Sequence, residues 1–125
     1  AITDIAGSSA YFDRGFVTYS NAAKHDLLGV SEATLMAHGA VSEEVVREMA
    51  IGALRAAQAD LALSVSGIAG PDGGSVEKPV GTVWFGFASS DGRGLSRKMQ
   101  FEGDRDAVRL QATIFALQTA IDEFL

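Results

Sequence analysis

The segment Gly81 to Ala88 (GTVWFGFA) carries no charge and one hydroxyl, and both alternating sets of its side chains are otherwise apolar. A strand of this kind offers no face to water and must be covered on both sides. A sheet with helices packed above and below satisfies that demand, which makes the chain an α/β layered domain. The neighbouring segments supply the layers. Leu61 to Ser66 alternates large with small residues, and its small set of Ala62, Ser64 and Ser66 lets a helix or a ligand approach closely. Asp91 to Gly94 reads as a turn, and Leu95 to Phe101 alternates like a half-exposed edge strand, so the last two strands form a hairpin.

Helix signals fill the remainder. Ser20 or Asn21 caps a short helix that Gly29 ends, and Ser31 caps a second that Gly39 ends. Ser42 followed by Glu43 and Glu44 places a hydroxyl and two acids at the positive end of a third helix. Its apolar stripe is Val46, Met49, Ala50, Ala53 and Ala57. Asp104 caps a last helix whose core stripe is expected to be Ala107, Leu110, Ile114, Leu117, Ile121 and Phe124. Gly15 to Tyr19 is apolar and β-branched and predicts a further strand, stopped by Ser20-Asn21. Trp84 and Phe85 are assigned to the core.

The 125 residues make a single domain, 1–125, with 47% hydrophobic and 21% charged residues, an ordinary globular balance. No apolar run reaches the roughly 18–20 residues of a membrane span. The chain has no cysteine, which excludes a disulfide framework and a thiolate nucleophile and fits a reducing, cytoplasmic setting. Ten basic against sixteen acidic residues give −6, the wrong sign for a general nucleic-acid binder. His25 and His38 stand alone, so no metal site is predicted.

Three places carry candidate chemistry. Ser66 to Ser75 (SGIAGPDGGS) leaves a strand with glycines at 67, 70, 73 and 74, and glycine lets backbone amides converge on an anion. The spacing matches neither a Walker A nor a Rossmann pattern, and a plain turn between strands would look the same. Lys24 falls in the first turn of its helix, where the dipole opposes a cation and lowers its pKa, as a general base to a serine requires. Tyr19 ends the preceding segment nearby; a solvated lysine and a rim tyrosine are the simpler alternative. Arg105 opens the last helix, again a cation at the positive end, suited to a carboxylate or phosphate or to pairing with neighbouring acids. Ser8 and Ser9 after Gly7 can cap a short turn.

Taken in order, Gly7-Ser8-Ser9, GFVTYSNAAK (15–24), LLGV (27–30), HGAVSEEVVREMA (38–50), SGIAGPDGG (66–74), EKPVGTVWF (77–85) and FEGDRDAVRLQA (101–112) resemble the CinA C-terminal (competence/damage-inducible) domain family, known as nicotinamide mononucleotide deamidase. The resemblance covers essentially the whole chain. It implies a three-layer α/β/α domain with a mixed, largely parallel five-stranded sheet. It implies hydrolysis of the carboxamide of nicotinamide mononucleotide to nicotinic acid mononucleotide and ammonia, in pyridine-nucleotide salvage, without metal or cofactor. By the same resemblance Lys24 is the base and Tyr19 an active-site tyrosine. Ser9, Ser66, Gly67, Gly70, Gly73, Gly74 and Arg105 hold the substrate and its phosphate.

The family's domain opens with a helix, a strand and a T-A-E-S-C-T-G-G turn that carries the nucleophilic serine, and the 125 residues contain no such segment. The start at Ala1 therefore reads as lying inside an element, with the first strand and nucleophile turn missing, and such a loss would leave sheet edges unpaired. The function implied for the intact protein is an amidohydrolase of Ser–Lys type acting on a small nucleotide. The alternative is a non-catalytic nucleotide-binding or protein-interaction module linked to competence or DNA damage. No nucleic acid or membrane partner is expected; a homodimer through the apolar hairpin or last helix is.

Overall fold

The doubly apolar segment is the middle strand of the molecule. In the computed structural model, which describes residues 1–125, β1 spans Leu61–Gly67, β2 Thr82–Ser89 and β3 Gly94–Gln100. They lie side by side in the order β1-β2-β3. Val65 stands opposite Phe85, and Phe85 opposite Arg97. The helices are α1 (Asn21–Leu28), α2 (Glu32–His38), α3 (Glu43–Ala57) and α4 (Arg105–Phe124), preceded by single 3₁₀ turns at Ile2–Asp4 and Ser8–Ala10.

The side chains of β2 divide by parity between two cores. Val83, Phe85 and Phe87 pack with Val108, Ala112, Ala116 and Ala120 of α4. Trp84 turns to the opposite face, where Leu28, Val30, Leu35, Val45, Val46 and Met49 make a second core. Phe85 is wholly buried, and removing a side chain of that size from water contributes about 2–3 kcal/mol. This is the three-layer α/β/α arrangement that the family resemblance implies. The small face of β1 admits α3: Ser64 Oγ donates to the Val46 carbonyl at 2.6 Å. Opposite Ser64 sits Gly86, where a Cβ would lie 2.3 Å from the same carbonyl oxygen, so only glycine fits.

The caps fall where the sequence puts them. The hydroxyls of Ser20, Ser31 and Ser42 accept from the third amide of α1, α2 and α3, and Asp104 does so for α4. Four expectations are corrected. The sheet is three-stranded and wholly antiparallel rather than mostly parallel, because its strands are joined by consecutive returns within one chain segment. Gly15–Tyr19 is not a strand: no backbone amide from Gly15 to Tyr19 bonds to another segment. Val17 and Tyr19 are 88% and 90% exposed. An extended segment without a ladder partner gains nothing from its β-propensity. The turn at Ser8–Ala10 begins without a side-chain cap.

The fourth correction concerns α4, where three of the six residues of the predicted core stripe face outward, while Ala107 and Leu117 are half-buried and Phe124 packs in the core. Leu110, Ile114 and Ile121 are more than half exposed, while Val108, Ala112, Ala116 and Ala120 meet the sheet. Aromatic rings decide this. Phe85 lies 4.7 Å from Phe115 and Phe87 5.9 Å from Phe124, between ring centroids, and together they fill the layer so that only small residues fit beside them.

Candidate active site

Two cationic centres carry the candidate chemistry. The first is Lys24, set on the first turn of α1 by the Ser20 cap. Its side chain folds inward and is 5% exposed, and Nζ donates to the carbonyl of the buried Thr18 at 2.8 Å. Burial pushes its pKa below the ordinary 10.5, since the charged form loses hydration that one carbonyl only partly replaces. The direction agrees with the sequence argument, but the cause is desolvation rather than the helix dipole. α1 closes with Gly29 in the left-handed conformation, and His25 Nδ1 meets the Val30 carbonyl at 2.8 Å.

The second centre is Arg105 at the start of α4. Its Nη1 donates to the Gly70 carbonyl at 3.0 Å. A cleft of about 340 Å³ opens there, lined by Ala69, Pro71, Val80, Gly103, Asp104, Arg105 and Asp106. The glycine loop runs along its edge. Gly70, Gly73 and Gly74 all have positive φ, and a Cβ on Gly70 would lie 2.6 Å from Val80 Cγ1. Gly67 has no room either, with Val83 Cγ2 at 2.7 Å from a built Cβ. The amides of Asp72, Gly73 and Gly74 bond to nothing within the chain and face solvent. Amides left free in a glycine-rich loop can bind an anion.

The structure thus brings Arg105 to the glycine loop, and Lys24 to Thr18. Ser66 is half-buried on β1 opposite Trp84. It does not join Tyr19 or Ser9 to either centre by a hydrogen bond; both are exposed, and the buried serine of the first turn is Ser8. No group of three or more histidine, aspartate or glutamate side chains stands together. Sequence reasoning missed the Thr18 carbonyl, because a backbone acceptor has no residue signature. It also passed over Lys78, which reaches back forty residues to α2.

The layered α/β domain thus carries a buried, desolvated lysine on one helix and, on another, an arginine bonded to a glycine-rich loop. Residues 1–124 match the family model of the CinA C-terminal domain, and the chain belongs to that family. A relative from Enterobacter agglomerans, nicotinamide-nucleotide amidohydrolase PncC, is 77% identical over 125 residues, covering 100% of this chain and 76% of the relative. The protein of the same name from Escherichia coli (strain K12) is 70% identical, covering 99% of this chain and 75% of its own length. Among solved structures, the competence/damage inducible protein CihA from Agrobacterium tumefaciens superposes with a TM-score of 0.94 at 48% identity, over 96% of this chain and 73% of that one. Competence damage-inducible protein A from Klebsiella pneumoniae gives 0.93 at 41% identity, over 98% and 75%.

Proposed function

We propose that the protein is a nicotinamide-nucleotide amidohydrolase, converting nicotinamide mononucleotide and water to nicotinic acid mononucleotide and ammonia. The observation that carries this is 77% identity, along the whole of this chain, to a relative of that name. A serine on a turn of the T-A-E-S-C-T-G-G kind, outside these 125 residues, supplies the nucleophile. Lys24, whose pKa desolvation lowers, acts in its neutral form and takes the hydroxyl proton as the oxygen attacks the carboxamide carbon. The proton passes to the departing nitrogen, ammonia leaves, and water cleaves the resulting ester. Backbone amides near that turn hold the oxyanion. In this reading Tyr19 serves as an active-site tyrosine, and Ser9 and Ser66 help to hold the substrate.

Arg105 and the free amides of Asp72, Gly73 and Gly74 grip the phosphate, which concentrates positive potential on a protein of net charge −6. The reaction takes a small nucleotide in the cytoplasm. No helix is long and apolar enough to cross a membrane. A homodimer is the assembly that the outward aliphatic stripe of α4 supports, because Leu110, Ile114 and Ile121 are each more than half exposed. Light scattering of the purified protein checks that assembly.

The enzymatic test is ammonia release from nicotinamide mononucleotide by the intact protein, followed with the appearance of the acid mononucleotide. Stoichiometric release of both products is expected. Tight binding of the nucleotide without ammonia release would instead establish the non-catalytic binding module.

A further inference from the structure

The connection between β1 and β2 runs from Ile68 to Gly81, far longer than the two to five residues usual between antiparallel neighbours. A loop of that length is mobile unless tied down, and its ties are few. At its base, Gly81 N–H donates to the Ile68 carbonyl at 2.7 Å and Ile68 N–H to that of Thr82 at 2.9 Å. At its tip, Ser75 N–H donates to the Lys78 carbonyl at 2.9 Å, and Lys78 N–H to Ser75 Oγ at 3.0 Å. These bonds close the loop on itself without fixing it against the protein.

Thr82 Oγ1 and Gln100 Nε2 hold its returning end, donating to the Pro79 and Val80 carbonyls at 2.6 and 2.8 Å, and two cations fix its outer part, each to a backbone carbonyl. Arg105 holds Gly70 on the α4 side. Lys78 holds the tip on the other side: its Nζ donates to the His38 carbonyl at 2.5 Å, in the last turn of α2. That carbonyl lies at the negative end of the helix, where a cation is favoured. Lys78 is half-buried although every residue from Pro71 to Glu77 is exposed. The receiving side is built for it. Gly39 has φ +75, and a Cβ there would lie 3.2 Å from Lys78 Nζ. Ser42 Oγ donates to the Gly39 carbonyl at 2.8 Å, which holds the turn in place. Between the two anchors lie the unpaired amides of Asp72, Gly73 and Gly74.

We infer that Lys78 is a positioning residue for ligand binding: by latching the glycine loop to the end of α2, it holds the free amides in the arrangement that receives the phosphate group of a nucleotide. The inference rests on the assignment of that loop to the substrate phosphate. Lys78 does not touch the ligand; it acts through the loop. Arg105 and Lys78 are opposite stays of one loop, and loss of either lets the three amides fan apart.

The test compares binding of nicotinamide mononucleotide and nicotinamide riboside, which lacks the phosphate, to the wild type, Lys78→Met and Lys78→Arg. Binding does not require the nucleophile. Lys78→Met is expected to weaken the mononucleotide about tenfold and the riboside less than twofold, while Lys78→Arg restores affinity within about twofold. Hydrogen exchange at the Ser75 amide is expected to quicken in Lys78→Met alone. Equal loss for both ligands, or no loss for either, overturns the positioning role. Should the wild type fail to distinguish the two ligands, the phosphate assignment of the loop is what fails. The Ser75 exchange rate then still decides the latch, and an unchanged rate in Lys78→Met overturns it.

Discussion

Lys24 and Arg105 both sit in the opening turn of a helix, where the dipole disfavours a cation, and both donate to a backbone carbonyl. Their surroundings differ. Lys24 is 5% exposed and its charge is held down by desolvation, whereas Arg105 keeps its guanidinium in an open cleft. The difference separates two tasks that sequence position alone makes look alike. A buried lysine gives up its proton readily and suits chemistry; an exposed arginine keeps its charge at any working pH and suits binding. The proposed base thus lies under cover and the proposed phosphate-binding cation in the open.

Replacing the buried partner should have the larger effect. Lys24→Ala is expected to lower kcat of the intact protein about 10³-fold, near 4 kcal/mol of transition-state stabilisation, with KM little changed. Turnover equal to the wild type would end its assignment as base. The pH profile sharpens the point. The base works neutral, so kcat/KM should rise with pH as Lys24 deprotonates, at a pH below the ordinary 10.5. Stability follows the same sign. The folded-state pKa is lowered, so between that value and 10.5 the unfolded chain holds more protons, and stability climbs with pH across that window. Lys24→Met should flatten the climb in denaturant titrations at increasing pH.

On the binding side, the backbone of the loop comes next in size. Gly70 has φ +83 and its added Cβ would meet Val80 Cγ1 at 2.6 Å, so Gly70→Ala is expected to cost about 2 kcal/mol in stability or loop order. Thermal unfolding together with nucleotide affinity measures how that cost divides. A neutral result would mean that the loop shifts freely, contrary to its role as a preformed cradle.

How much of this was legible in the sequence follows the reach of each signal. The double-faced strand, the serine caps and the glycine loop are local patterns, and all stand where the spacing put them. The direction of the Lys24 shift was legible as well, though its cause was not, since burial depends on the whole fold. The face of α4 was partly misjudged because helical periodicity locates a stripe but cannot say that Phe85 and Phe87 of β2 meet Phe115 and Phe124 of the helix and leave room only for small residues beside them. Gly15–Tyr19 has strand propensity without a partner, and pairing is a property of two segments. Lys78 escaped for the same reason: its acceptor is a carbonyl forty residues away.

The smallest expected effect tests the exposed cation itself. In the proposed site Arg105 contributes in two ways, by its charge toward the phosphate and by its bond to the Gly70 carbonyl. Arg105→Ala removes both and is expected to raise KM about tenfold, near 1.4 kcal/mol, while kcat stays within about twofold. Arg105→Lys keeps the charge but not the fork, and one ammonium must choose between the carbonyl and the phosphate, so its KM should fall between the two. Added salt should raise the wild-type KM and leave that of Arg105→Ala nearly unchanged, because an exposed charge is screened and a missing one is not. A kcat loss matching that of Lys24→Ala would erase the division between chemistry and recognition; an unmoved KM would take Arg105 out of the phosphate site.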